Sequence, residues 1–104
     1  MPQAYSVIVL PRTFTDLVEI LDHIAIDSPQ NAVTTIDRLW RAMQSLQLLP
    51  HRYKIHEGRK DPSKTVRSMP VSPFIIYYRV DDQMHVVRIL HVRHGHRRQP
   101  RRFR

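Results

Sequence analysis

The chain has 104 residues, of which 41% are hydrophobic, and it carries a formal net charge of +8 without any cysteine. This length and hydrophobicity predict one folded domain with a modest core and exclude wholesale disorder. The sequence contains no run of about 18 apolar residues that would predict a membrane span, and its start lacks a signal-peptide pattern. Without cysteine there are no disulfides, which suits the reducing cytoplasm, where we expect the protein to act.

The charge is distributed unevenly along the chain. Residues 1–50 contain three basic residues against five acidic ones, whereas residues 51–104 contain fourteen against four and hold six of the seven histidines. A one-sided basic field attracts polyanions such as nucleic acid or an acidic protein segment. The alternative is a solvated face that only aids solubility. We favour a polyanionic partner because the asymmetry follows one half of the fold.

The first predicted elements are a strand and a helix. The β-branched run Tyr5 to Leu10 is typical of a short strand, and Pro11 closes it. Apolar residues then recur with helical spacing from Phe14 to Ala25. Thr13, with Asp16 three residues later, resembles an N-terminal capping pair. The sequence therefore predicts a helix that begins near these two residues.

A second helix is predicted after a clear restart at Ser28-Pro29. Serine suits the N-cap, and proline suits the first helical position, where its missing N–H has no consequence. Trp40 and Met43 lie on the apolar stripe of this helix, so we expect both in the core rather than in a ligand site. Leu49-Pro50 ends the helix. The short connection makes the two helices an antiparallel hairpin.

The C-terminal half changes from helical to strand periodicity. His51 to Lys64 is aperiodic and basic, which predicts an irregular loop. Alternating patterns then predict three strands, over Thr65 to Val71, Phe74 to Val80 and His85 to about His94. We expect residues 1–98 to form a single domain and residues 99–104 a basic C-terminal tail.

The predicted order is β-α-α-β-β-β, an α+β fold in two layers. It consists of an N-terminal strand, an antiparallel helical hairpin and a three-stranded antiparallel meander. The first strand should join the sheet at or near the meander. The strands carry Arg67, Arg79, Arg88 and Arg93, and an open sheet face with several arginines would suit an anion. Strict alternation nevertheless puts Arg88 and Arg93 on opposite faces, and a single arginine can instead extend from an edge.

Five local motifs follow one another in the chain at characteristic spacing. They are Ser28-Pro29, Leu46 with Leu49-Pro50, Val66-Arg67-Ser68-Met69, Tyr78-Arg79-Val80-Asp81-Asp82 and His94-Gly95-His96-Arg97. In this order they resemble the RelE/ParE superfamily of bacterial type II toxins, and the resemblance extends over about residues 5–98. It implies a toxin of a plasmid-stabilisation-like system, neutralised by a cognate acidic antitoxin whose disordered segment folds onto it, with a heterotetramer as one form of that complex.

The branch of the superfamily decides the activity that the resemblance implies. ParE-like members are described as inhibitors of DNA gyrase, whereas RelE-like members are ribosome-dependent mRNA endonucleases. The Ser-Pro joint, the acidic turn and the His-Gly step are closer to the ParE pattern, which we favour. The basic loop and the histidines are closer to an mRNA interferase. A non-toxic module that binds antitoxin or nucleic acid is a third alternative.

RNA cleavage without a metal would require a base, a cation and a proton donor, which histidine and arginine can supply. The resemblance matches Arg67 to an arginine that holds phosphate in nuclease members. The candidate catalytic residues, should the protein be a nuclease, are Arg67, Arg97, His94 and His91; the candidate anion-binding residues are Lys54, Lys60, Arg79, Arg88 and Arg93. The terminal tyrosine of some nucleases has no counterpart, since the tail offers only Phe103. We expect no cofactor and no metal, because His91, His94 and His96 lack an evident fourth ligand.

Overall fold

Two helices cover one face of a five-stranded mixed sheet in the structure, a computed structural model that describes residues 4–95. The elements are β1 Ser6–Val9, α1 Pro11–Ala25, α2 Pro29–Gln44, β2 Ile55–Glu57, β3 Val66–Val71, β4 Phe74–Asp81 and β5 Val86–His94. The strands lie in the order β1-β5-β4-β3-β2. β1 runs parallel to β5, and the other pairs are antiparallel. The predicted α+β layout is confirmed, with the first strand added at the edge of the meander.

The segment predicted as an irregular loop contains regular structure. Short 3-10 turns occur at Pro50–Arg52 and Pro62–Lys64, and β2 lies between them. β2 has only three residues, too few for an alternating pattern to be visible in the sequence. It forms because Ile55 and Glu57 pair with β3. The prediction of an unstructured loop is therefore wrong for this part of the chain.

The second helix begins where the sequence predicts. Ser28 accepts a hydrogen bond from the Asn31 N–H at 3.2 Å through its side-chain oxygen, and Pro29 occupies the first helical position. The α-helix ends at Gln44, and a 3-10 turn follows it. Leu49 then adopts a left-handed conformation, with φ 50° and ψ 53°, which turns the chain towards Pro50 and the sheet.

The start of α1 differs from the predicted capping pair. The helix begins at Pro11 without a side-chain cap, and both Thr13 and Asp16 are buried inside it. The Thr13 hydroxyl donates to the Ile89 carbonyl at 3.0 Å, and an Asp16 carboxylate oxygen accepts from the Val92 N–H at 3.0 Å. β1 stops at Val9, so β5 continues beyond its strand neighbour. Asp16 thus supplies a hydrogen bond to this stretch of β5 in place of a strand, and Thr13 supplies one to Ile89, the last residue paired with β1.

The main core fills the space between the hairpin and the sheet. Its fully buried members include Leu39, Met43, Leu46, Ile76, Tyr78, Val87 and Ile89. Met43 thus lies in the core as predicted, but the prediction for Trp40 is wrong, since it is 39% exposed. The apolar stripe of α2 is wider than the surface that the sheet covers. Residues at its margin, Val33 and Trp40, are therefore exposed, and the ring of Trp40 lies 6.3 Å from that of Phe14 on α1, centroid to centroid.

A second, smaller cluster lies on the opposite side of the sheet, which we call the outer sheet face. Val66 and Tyr77 are buried there, with Ile75 and Leu90 packed against them. The Pro62–Lys64 turn contacts β4, and the ring of His56 packs against Tyr77 with centroids 4.8 Å apart. The segment between β2 and β3 thus lies next to part of the outer sheet face.

Candidate functional site

Arg67 lies on the side of the sheet that faces the core. It pairs with Tyr78 of the main core in the β3–β4 register. One terminal nitrogen of its guanidinium donates to the carbonyls of His51 and Tyr53, at 3.1 and 2.8 Å. The Tyr78 hydroxyl donates to the Pro50 carbonyl at 2.6 Å. Arg67 and Tyr78 together hold residues 50–53 against the sheet.

The Tyr78 hydroxyl is suited to this structural role. Burial raises the pKa of Tyr78 to about 12, although the charges of Arg67 and Arg52 oppose the effect. The phenol therefore keeps its proton at every physiological pH and remains a hydrogen-bond donor.

The other three strand arginines lie on the outer sheet face. Arg79 is directly opposite Arg88 on β5 and opposite Val66 on β3, while Arg93 is opposite Ile75. Val66 and Ile75 belong to the outer cluster, so the arginines paired with them share that face. The pairing of β5 with β4 is irregular at Leu90, which is one extra residue in β5. This extra residue shifts the alternation of side chains between the two faces of the sheet. The prediction that Arg88 and Arg93 occupy opposite faces is wrong for this reason.

Two carboxylates flank the arginines of the outer sheet face. Asp81 binds Arg88 at 3.2 Å, and Glu57 binds Arg59 at 2.6 Å. Arg79 donates from its Nε to the Lys64 carbonyl at 3.1 Å. Burial lowers the pKa of Arg79, as does the neighbouring charge of Arg59, against the effect of Glu57. The guanidinium group of Arg79 is thus partly shielded from water and lies near both a second cation and a carboxylate.

The lysines predicted to bind an anion project from the segment around β2. Lys54 precedes β2 and Lys60 follows it, and both are exposed. The fold after β2 is fixed by hydrogen bonds: the Arg59 N–H donates to the Thr65 hydroxyl at 3.1 Å, and Asp61 accepts from the Ser63 N–H at 3.0 Å. Lys60 is therefore carried by a structured turn beside the outer sheet face.

His91 is held by groups on both of its ring nitrogens. Its Nδ1 contacts the Asp16 carboxylate, and its Nε2 lies 3.2 Å from a terminal nitrogen of Arg93. Because a guanidinium can only donate, Nε2 accepts, and Nδ1 carries the proton that is donated to Asp16. The ring of His91 thus lies between a carboxylate and a guanidinium.

His94 lies at the end of β5, next to Arg93. Its ring packs edge-on against Phe74, with centroids 5.5 Å apart. Arg93 and His94 line a cleft of about 630 Å³ between α1 and the ends of β4 and β5, together with Arg12 and Glu19. The cleft is lined both by apolar side chains and by charged side chains of both signs.

Among the described residues, the candidate catalytic residues Arg67 and His91 lie apart. Arg67 and His91 are separated by the whole of β4, about 10 Å at the usual strand spacing. Arg97, and His96 of the zinc alternative, lie outside the described residues. Within residues 4–95, no group of three potential ligands is placed to hold a metal ion. No helix of this part of the chain is long and apolar enough to cross a membrane.

Two residues that contact the candidate site residues, Asp16 and Arg59, were not predicted from the sequence. Asp16 contacts His91 although 75 residues separate them, and its position in a helical pattern suggested a cap instead. Arg59 lies in the basic segment, where nothing in the sequence distinguishes it from its neighbours. Only the pairing of β2 with β3 reveals that Arg59 lies near Arg79. No local motif could have indicated either residue.

Comparison with known proteins identifies the family to which the chain belongs. Residues 7–99 match the family model described as the ParE toxin of the type II toxin-antitoxin system, parDE. No curated protein sequence matches. The chain therefore belongs to the ParE toxin family, and it is a toxin of a type II toxin–antitoxin system.

Three solved structures share the fold. A chain of the chromosomal ParDE system of P. aeruginosa has a TM-score of 0.69 at 20% identity, and the match covers 89% of this chain and 98% of that one. A chain of the RelBE2 toxin–antitoxin complex of Mycobacterium tuberculosis has a TM-score of 0.60 at 21% identity, with 90% and 94% covered. A mutant of the E. coli toxin RelE in the free state has a TM-score of 0.57 at 18% identity, with 89% and 85% covered.

Proposed function

We propose that the protein is a cytoplasmic ParE-type toxin that stops growth by poisoning DNA gyrase, without catalysing a reaction itself. The observation that carries the proposal is the match of residues 7–99 to the ParE family rather than to a nuclease family. The His-Gly step and the acidic turn of the sequence support the same branch. Plasmid stabilisation is the biological role that this activity would serve.

The contacts of Arg67 favour a non-catalytic toxin. A nuclease would require this guanidinium to hold the scissile phosphate. Arg67 instead donates to two backbone carbonyls on the core-facing side. Removing it from those carbonyls would leave two acceptors without this donor, at a cost of about 1–3 kcal/mol. The side chain is thus better suited to stabilising the fold than to binding a substrate.

A supercoiling assay tests the proposal. Purified protein should block ATP-dependent supercoiling of relaxed plasmid by gyrase and should accumulate cleaved plasmid. Cell-free translation with the same sample should proceed undiminished. Normal supercoiling together with cut messenger RNA would reject the proposal and establish an mRNA interferase. Failure in both assays, with intact antitoxin binding, would support the non-toxic module.

The net charge of the protein makes one control essential. A protein of charge +8 can coat DNA and block any enzyme that acts on it. Relaxation of the same plasmid by a type I topoisomerase should therefore be measured at the same protein concentrations. Inhibition of gyrase alone supports a specific target, whereas equal inhibition of both enzymes indicates coating.

A ribosome-dependent nuclease is the second candidate, and the surroundings of His91 are the observation that favours it. Asp16 fixes the tautomer of His91, and Arg93 places a cation beside it. These are two of the groups that RNA cleavage needs. His91→Gln should then abolish messenger cleavage while His23→Gln, an exposed position on α1, leaves it intact. Equal cleavage by both variants would remove this candidate.

The partner we propose is an acidic antitoxin, part of which folds on the hairpin. Phe14 and Val18 of α1 and Val33 and Trp40 of α2 are exposed apolar side chains, and the ring centroids of Phe14 and Trp40 lie 6.3 Å apart. Amphipathic helices bind exposed apolar surfaces of this kind, and we call this one the apolar face. The similar chains of ParDE and RelBE2 come from toxin–antitoxin systems. Light scattering of the purified complex would determine whether it is a heterotetramer.

The contribution of the apolar face can be measured with the cognate antitoxin. Trp40→Ser should weaken antitoxin binding at least about tenfold, because a partly exposed aromatic residue at such a face is a typical hot spot. Gln30→Ser, at an exposed position of the same helix, is the control. Unchanged affinity of the Trp40 variant would place the antitoxin elsewhere.

A further inference from the structure

Tyr5, just before β1, links the connection that follows α2 to the turn between β4 and β5. Its N–H donates to the Gln47 carbonyl at 2.8 Å, and its ring stacks on that of His85 with centroids 4.1 Å apart. The Asp82 carboxylate accepts from the Tyr5 hydroxyl at 2.6 Å and binds His51 at 2.9 Å. The connection and the turn therefore lie side by side.

Large apolar side chains are exposed on both of these segments. Leu48 and Leu49 of the connection are 52% and 65% exposed, and Met84 of the turn is 66% exposed. Each lies within two residues of a residue that makes the contacts between the segments. We call these three residues the loop patch. Exposed apolar side chains that group at one place on a protein mark a site of interaction, whereas isolated ones have no such meaning.

The backbone is strained at two positions in the same two segments. Leu49 and His85 have φ angles of 50° and 56°, and within residues 4–95 they are the two residues other than glycine with positive φ. The left-handed conformation is unfavourable for a residue with a side chain, and it persists where the surrounding structure holds it. Because such strain clusters at functional sites, its presence at the loop patch is a second indication of an interaction surface.

The connection after α2 is also held unusually firmly for an exposed segment. The backbone carbonyls of four successive residues, 48–51, accept hydrogen bonds from side chains. The donors are Arg52, Tyr78 and Arg67. These bonds leave the segment few other conformations, so its two leucines are presented in a fixed arrangement. Fixing a surface before binding lowers the entropy that is lost when a partner binds.

We propose that the loop patch is the apolar centre of the surface through which the toxin binds DNA gyrase, an inference that rests on the proposed function. The net charge of +8 disfavours a second copy of the chain as the occupant and favours a partner with an acidic surface. Charged groups of both signs border the patch, including Arg52, Lys54 and Asp82. Such groups fix the orientation of a partner, whereas buried apolar contacts supply most of the affinity.

The rigidity of the loop patch favours a folded enzyme over the antitoxin as its partner. A disordered segment that folds on binding adapts to the surface it meets. A folded enzyme offers a pocket of fixed shape, which a surface that is already fixed can fill at low cost. The apolar face of the hairpin is a separate site for the antitoxin, so variants can test the two partners independently.

Binding of the full chain to purified gyrase tests the inference, measured by biolayer interferometry without DNA. The double variant Leu49→Asn/Met84→Gln should raise the Kd for gyrase at least about tenfold, because two apolar side chains at the centre of the interface are lost. Asparagine tolerates the left-handed conformation, so the variant should fold normally, as circular dichroism would verify. Its Kd for the cognate antitoxin should equal that of the wild type.

A second double variant, Ile26→Gln/Ile55→Gln, removes as many exposed apolar side chains from other parts of the chain and serves as the control. It should bind gyrase like the wild type. Leu49→Gly removes the same side chain and relieves the strain. It should bind gyrase several-fold more weakly than the wild type without unfolding at a lower temperature, which would show that the loss does not come from unfolding.

Four outcomes would overturn the inference. Unchanged gyrase binding by the patch variant, or equal losses in the patch and control variants, would do so while the proposed function stands. A loss of antitoxin binding alone would assign the patch to the antitoxin. A wild-type dimer that the patch variant dissociates, as measured by light scattering, would assign it to a second copy. Absence of any binding between the wild type and gyrase would overturn the proposed function together with the inference.

Discussion

At the scale of single residues, Asp16 links the helical layer to β5. It is 5% exposed and accepts from the Val92 N–H while contacting His91. Asp16→Ala should lower the free energy of unfolding by about 2–4 kcal/mol, because two buried donors lose their acceptor. Thr13→Val should cost only about 1 kcal/mol, since the Ile89 carbonyl keeps the Leu10 N–H as a donor. Urea denaturation measures both values, and equal losses would contradict this account.

Tyr78 predicts a dependence of stability on pH. Its pKa is 10.0 in an unfolded chain and about 12 in the folded protein, chiefly because of burial. Below pH 10 the phenol is protonated in both states, so its contribution is complete. As the pH rises from 10 to about 12, the unfolded state loses the proton first, and stability should fall by about 2–3 kcal/mol.

Urea denaturation between about pH 8 and strongly alkaline pH would measure this fall. Tyr78→Phe should be less stable at neutral pH by about 1–2 kcal/mol, because it loses the donor to Pro50. It should also lose much less stability above about pH 10 than the wild type. Parallel curves for the two proteins would show that Tyr78 is not responsible.

At the scale of elements, the connection between α2 and β2 contains a strained residue. Leu49 has a positive φ of 50° and its side chain is 65% exposed. A left-handed conformation costs an ordinary residue about 1–2 kcal/mol, and glycine avoids this cost. Part of that gain is lost, because glycine has greater conformational freedom in the unfolded chain. Leu49→Gly should therefore raise the free energy of unfolding by about 0.5–1 kcal/mol. Leu46→Gly, at a buried position nearby, should destabilise strongly, and thermal unfolding would compare the two.

The helices and long strands were predictable because their apolar periodicity is local. β2 was not, since a three-residue strand exists only through its pairing with β3. Thr13 and Asp16 show the same limit: their spacing fits a cap, and only the position of β5 reveals their partners. The sheet face of Arg93 was mispredicted for a related reason. Leu90 is an extra residue in β5 and brings Arg93 onto the same face as Arg88. A strictly alternating sequence pattern does not reveal such an extra residue.

At the scale of the whole molecule, the two layers differ in charge and in apolar exposure. The hairpin presents Phe14 and Trp40, whose ring centroids lie 6.3 Å apart. The double variant Phe14→Ser/Trp40→Ser should bind less of an environment-sensitive hydrophobic dye and stay soluble at higher concentration. Its free energy of unfolding should fall by no more than about 1–2 kcal/mol, as both rings are only partly buried. A larger fall would show that this face belongs to the core.

The hydrogen bonds from α1 to β5 also constrain how such a chain can change in length. One added residue between Val9 and Thr13 would rotate the following helix by about 100°. Thr13 and Asp16 would then point away from Ile89 and Val92, and β5 would lose both of these hydrogen bonds. An insertion at the exposed Gly58, in contrast, would only lengthen a surface turn. Length variation among chains of this fold should therefore be common after β2 and rare between the first strand and the first helix.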